Sequence, residues 1–305
     1  MAGNMNTINR NICLPHGCTA NETAWVSESI SGVDLTIGSG FKAQSFNARA
    51  NKTLMDPLVM VDHYVMTQPT FGAHPHAGMS AVSLLLEDSK GLFRNRDSLG
   101  NDFDLRPGDL YWLSAGSGAV HDEFPHLGAR THGLQVFVNV PQARRFEEPA
   151  SILVRSEDMP VINTSEYRVK VALGESNGVR GHTSPSTPLT ILVGTIQPGR
   201  QFSHGSASNR SVWTQSIEGG LDVVVGETAR HLAPGQAVVA KPASSTNITI
   251  GNPSHKPVQF VMFEGEEIGE SYVQEGPFVM GAEEQIADVR AAYESGELGS
   301  IAGDS

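Results

Sequence analysis

Turn residues punctuate this chain at short intervals and leave room for strands, but for almost no long helices. The breakers include Arg106-Pro107-Gly108-Asp109, Gln197-Pro198-Gly199, Gly219-Gly220, Ala233-Pro234-Gly235 and Gly251-Asn252-Pro253. Between them lie apolar runs of strand length. Residues 80–86 alternate so that Val82, Leu84 and Leu86 share a face, and residues 134–140 set four aliphatics against Gln135, Phe137 and Asn139. Residues 189–193, 221–225, 248–250 and 258–263 continue the series. Short strands at this spacing predict an all-β sandwich or barrel. A single helix is expected over residues 283–293, opening on Glu283 and Glu284, striped by Ile286, Val289 and Tyr293, and stopping near Gly296. Its expected task is to cover a sheet edge or face.

The 305 residues are 39% hydrophobic and 18% charged, enough for a sizeable core and too apolar for wholesale disorder. Lys and Arg number 21 against 33 Asp and Glu, and the net charge of −12 disfavours nucleic acid while leaving a protein partner open. No stretch approaches the roughly 18 apolar residues of a membrane span. The first 25 residues hold no apolar signal-peptide core, so the cytoplasm is the expected compartment. Cys13 and Cys18 suit neither a paired zinc motif nor a C-x-x-C, and ordinary thiols are expected.

Residues 1–33 read as a polar N-terminal extension. The Pro-, Ser-, Glu- and Arg-rich stretch 141–187 reads as a connector between two β units, with bounds at 34–150 and 151–305. The turn at Pro107 recurs loosely at Pro234, 127 residues on, as two copies of one barrel would require.

Among 11 histidines, three stand apart by spacing. In extended chain, residues i and i+2 face the same side, so His74 and His76 can converge on one ion, and His121 with Glu123 repeats the geometry. Three imidazoles and a carboxylate suit iron, manganese, nickel, cobalt, copper or zinc, and exclude an all-oxygen calcium site. No thiolate lies nearby to close a structural zinc site. His63 is read as a hydrogen-bonded strand-end residue that could also reach the cavity. His126, His132, His182, His204, His231 and His255 have no i+2 partner, and surface or core roles are expected for them. Gly116-Ser117-Gly118 is too short for a phosphate loop and reads as a tight turn placing His121. Arg96, Asp97 and Gln135 are candidates for the pocket or for support of the ligands.

Several longer motifs resemble the pirin family: residues 71–78 (FGAHPHAG), 96–101 (RDSLGN), 106–112 (RPGDLYW), 115–123 (AGSGAVHDE), 132–139 (HGLQVFVN) and 275–280 (EGPFVM). The resemblance runs from about residue 34 to 295. It implies a bicupin, two tandem jelly-roll β-barrels, with metal in the N-terminal barrel only, on His74, His76, His121 and Glu123. Fe(II) is the first expectation for the ion, with Mn, Ni, Co, Cu and Zn open. The resemblance also implies chemistry like that of quercetin 2,3-dioxygenases, which open a flavonol ring with dioxygen and release carbon monoxide. In that scheme Glu123 is the general base. Other members look like metal-dependent regulators that bind a transcription factor or a metabolic enzyme. The chain departs from the family pattern at His63, Ala77 and Met79, positions expected at the cavity rim or in packing. With two packed barrels in one chain, a monomer is expected.

Overall fold

The computed structural model describes residues 24–47 and 54–301. Cys13 and Cys18 lie outside the described residues. The first half contains β1 (Ala24–Val26), β2 (Val33–Ile37), β3 (Phe41–Asn47), β4 (Leu58–Met66), β5 (His74–His76) and β6 (Met79–Leu85). It continues through β7 (Phe93–Asp97), β8 (Asp102–Leu105), β9 (Leu110–Ser114), β10 (Ala119–Pro125), β11 (Thr131–Asn139) and β12 (Ala150–Val154). Next come β13 (Val161–Asn163), β14 (Tyr167–Leu173), β15 (Glu175–Ser176), β16 (Val179–Arg180), β17 (Leu189–Ile196), β18 (Gln201–Ser206) and β19 (Arg210–Glu218). The chain closes with β20 (Leu221–Val225), β21 (Thr228–Leu232), β22 (Ala237–Pro242), β23 (Thr246–Gly251), β24 (Val258–Glu266), β25 (Val273–Glu275), β26 (Phe278–Met280) and the helix α1 (Glu283–Glu294).

Two sheets make each half, and the halves repeat one strand order. A seven-stranded sheet β12-β9-β6-β11-β4-β3-β2 faces a four-stranded sheet β5-β10-β7-β8; the second half repeats this as β1-β22-β19-β24-β17-β14-β13 and β18-β23-β20-β21. The fold is therefore all-β, two jelly rolls in tandem with one short C-terminal α-helix. The turn at Pro107 precedes β9 and the turn at Pro234 precedes β22, strands at matching places in the two sheets.

The two large sheets pack back to back. Val82, Leu84, Leu134, Val136 and Trp112 from the first join Ile191, Trp213, Val239, Val261 and Phe263 from the second in one buried cluster. Phe46 and Trp213 meet edge to face across this seam, with centroids 5.1 Å apart. The alternation in β6 and β11 thus sends its aliphatics to the seam and its other face to the interior of the first jelly roll.

Residues 141–187 are more than a connector. Ala150–Val154 pairs with β9 at the edge of the first large sheet, while Val161–Asn163 and Tyr167–Leu173 pair at the edge of the second. Edge strands are half-exposed, which is why the stretch reads as polar. Within the stretch read as an extension, Ala24–Val26 pairs with β22 of the second half. The opposite terminus returns the exchange: Ile286 and Val289 of α1 pack with Phe278, Met280 and Ala77, beside the histidine strand of the first half. Tyr293, expected in the buried stripe of α1, is exposed because the helix touches its support along one narrow line.

Candidate metal centre

Pro75 sits between the two histidines of β5, a strand at the edge of its sheet where a missing N–H is tolerated. Its fixed extended φ keeps His74 and His76 on one side. Across the ladder, His121 of β10 is paired with His74 and Ala119 with His76. The turn that launches β10 needs glycine: Gly118 has φ +143°, and a Cβ there would fall 2.3 Å from the Leu298 side chain.

The three imidazoles meet at their Nε2 atoms, 2.9 Å from His76 to His121 and 3.1 Å from His121 to His74. Their rings stand at 66–73° to one another. The Nδ1–H of His74 donates to the Gly72 carbonyl at 2.8 Å, which leaves its Nε2 lone pair facing the others. Burial pushes His76 and His121 well below the ordinary imidazole range, and neighbouring imidazoles add to this, so both are neutral ligands at neutral pH. Nitrogens bound to one ion at about 2.1 Å and at right angles lie about 3 Å apart, so the spacing fits a divalent transition metal.

Glu123 lies two residues beyond His121 and is buried in the same cavity. Its carboxylate is not among the atoms that converge within 4.8 Å of one another. It is turned toward the Ser83 hydroxyl, whose oxygen lies 2.7 and 2.8 Å from Oε1 and Oε2. Burial raises the Glu123 carboxyl to about 7; the Ser83 hydroxyl opposes this, and Asp122 and Asp97 add to it. Asp122 points the other way and holds Arg96 at 2.6 Å. Asp97 accepts from the amides of Leu99 (2.9 Å) and Asn101 (3.1 Å) and from the Tyr111 hydroxyl, which fixes the loop beside β10.

The cavity above the histidines holds about 220 Å³. Phe41, Phe71, Phe93, Phe137, Met60 and Met66 give it apolar walls, with Asp62, Tyr64 and Gln135 as further polar members. Gln135 was anticipated, but Ser83, Asp62 and Tyr64 were not. His63 faces away, its Nε2 2.7 Å from that of His132, whose Nδ1–H donates to Asp88. Met79 likewise packs with Val59, Ala81 and Val279, and Ala77 with α1, so none of the three departures touches the cavity. Side chains alternate along β4 and β6, and Asp62 and Tyr64 rather than His63 have the inward phase.

Tandem jelly rolls, the first holding a three-histidine group that could bind a metal, define a bicupin with one metal-type site. Known proteins narrow the class. The sequence matches the pirin family over residues 39–138 and the pirin C-terminal cupin domain over residues 191–299. It is 30% identical over 247 residues to a pirin-like protein of Solanum lycopersicum, covering 80% of this chain and 82% of that one. The chain belongs to the pirin family. In fold it is similar to a quercetin 2,3-dioxygenase from Acinetobacter baumannii, with TM-score 0.79 and 22% identity over 92% of this chain and 99% of that one. It is also similar to a bacterial pirin from Escherichia coli in complex with nickel(II), with TM-score 0.58 and 18% identity over 80% and 99%.

Proposed function

We propose that this pirin is a metal-dependent dioxygenase that opens the heterocyclic ring of a flavonol, incorporating both atoms of dioxygen and releasing carbon monoxide. The observation that carries this reading is the convergence of three neutral imidazoles, beside a buried carboxyl, at the base of an aromatic-lined cavity. His74, His76 and His121 would hold the cation, which when bound stabilises the flavonol anion and activates the ring toward dioxygen. Glu123 takes the proton of the 3-hydroxyl. A carboxyl poised near 7 is matched to that transfer at neutral pH, and Ser83 keeps it aimed into the cavity. The aromatic walls of Phe41, Phe71 and Phe137 suit a planar ring system.

Flavonol loss and carbon monoxide release are measured under air with protein loaded separately with Fe(II), Mn(II), Ni(II), Co(II), Cu(II) or Zn(II). Turnover is expected with Fe(II) or another redox-active ion, and Glu123→Gln is expected to keep much of the metal while losing turnover. If every ion loads and none supports turnover, the dioxygenase reading fails and a metal-dependent partner-binding role replaces it.

A further inference from the structure

Four strands of the first large sheet carry a straight polar row, and its two middle members, Asp62 and Gln135, line the cavity. Ser45 of β3 is paired with Asp62 of β4, Asp62 with Gln135 of β11, and Gln135 with Ser83 of β6. The Ser83 end is anchored to Glu123, beside the histidines, and Ser83 lies 2.9 Å from Gln135 Oε1. Neighbouring strands are about 4.8 Å apart, so Asp62 stands about 10 Å along the row from Ser83. That is comparable to the length of a three-ring planar molecule.

Asp62 is unusual in this row. It is 7% exposed, Ser45 faces its carboxyl, and its Oδ1 has no hydrogen-bond partner among the described residues. The Tyr64 hydroxyl, on the same face two residues along, is likewise buried without a partner. None of the described residues lining the cavity is Lys or Arg. A buried carboxyl without a cation or a full set of donors costs free energy. A ligand hydroxyl reaching Asp62 would recover part of that cost.

We propose that Asp62 is the specificity-determining acceptor of the cavity, receiving a hydrogen bond from a hydroxyl on the ring of the substrate that lies farthest from the histidines. This rests on the flavonol reading and deepens it: the substrate class becomes a polyphenolic flavonol with a donor at its distal end. A ligand carrying a distal carboxylate is disfavoured, because it would meet Asp62 with no cation between them.

The test uses full-length protein loaded with Zn(II) under nitrogen, where binding is read without turnover. Dissociation constants are measured for quercetin, hydroxylated on its outer rings, and for 3-hydroxyflavone, which carries the chelating hydroxyl alone. Wild type is expected to prefer quercetin about tenfold, the ratio given by one hydrogen bond of roughly 1.4 kcal/mol. Asp62→Ala is expected to bring that ratio to about one with 3-hydroxyflavone binding unchanged. Asp62→Asn, which retains an acceptor oxygen, is expected to keep most of it. Asp62→Leu, close in size and apolar, gives the same readout if the alanine variant does not fold. A wild-type ratio near one, or a preference that survives in Asp62→Ala or Asp62→Leu, overturns the proposal. Quercetin that binds with this preference but is not consumed under air removes the dioxygenase reading and leaves Asp62 in its role.

Discussion

The two jelly rolls share a strand order and differ in what they enclose. In the first, β10 lies between β5 and β7 and carries His121 and Glu123; in the second, β23 lies between β18 and β20 and carries Ile248 and Ile250. Opposite His121 stands His74, whereas opposite Ile250 stands Phe202. The second interior is filled by Phe202, Phe260, Ile248, Ile250, Val223 and Leu221, all almost fully buried. A buried histidine there, His204, is tied between Ser176 at 2.9 Å and Glu264 at 2.8 Å, with Ser206 on the other carboxylate oxygen at 2.5 Å. One scaffold thus tolerates either a hollow interior with a histidine cluster at its base or one filled largely by apolar side chains. The site is an occupant of the fold rather than a consequence of it.

Exchanging the histidines in turn tests that contrast most severely. His121→Ala is expected to lower metal affinity by more than about a hundredfold, beyond what outer partners of a ligand contribute, with folding stability little changed. The matching change His204→Ala is expected to leave metal content intact and cost about 3 kcal/mol, because Glu264 stays buried without its main partner. Metal analysis and denaturant unfolding of both variants check the pair. Metal loss in His204→Ala would break the comparison.

A smaller effect sharpens it within the hollow half. Ser83→Ala removes the hydroxyl that aims Glu123, and kcat is expected to fall about tenfold at unchanged metal content. Steady-state kinetics beside metal analysis separates this from ligand loss.

The smallest effect contrasts inward and outward histidines. Burial, with His132 beside it, pushes His63 down to about 4, against 6.5 for an ordinary imidazole. The unfolded chain therefore takes up a proton near pH 6.5 that the folded chain refuses until about pH 4. Stability contributed by a neutral His63 is present above pH 6.5 and is lost as the pH falls toward 4. Urea unfolding across this window is expected to show a loss of at most about 3 kcal/mol that His63→Gln flattens.

Much of this was legible in the chain itself. The pairs His74/His76 and His121/Glu123 are local, and extended backbone alone puts each pair on one side. The 127-residue recurrence of the Pro107 turn at Pro234 marked two equivalent strands. Ser83, Asp62 and Tyr64 were hidden for a different reason. Their place depends on register between strands tens of residues apart, and β4 is flanked by the seam on one face and the cavity on the other. Both faces of β4 are therefore largely apolar, and no alternation tells which one looks inward. His63 reads from the sequence as a strand-end histidine able to reach the cavity, while the carboxyl one residue earlier carries the inward phase.

The exchange of chain ends has a consequence for the nascent chain. Val26 pairs with Ala240, 214 residues later, which at ordinary synthesis rates is a delay of roughly ten to forty seconds. During that interval β9 emerges with an open edge, and it is the counterpart in the first sheet of the partner for which β1 is waiting. Ala150–Val154 then closes that edge only a few dozen residues after β9 has formed. Order of synthesis therefore leaves β9 open to β1 only for those few dozen residues, until its own edge partner is made.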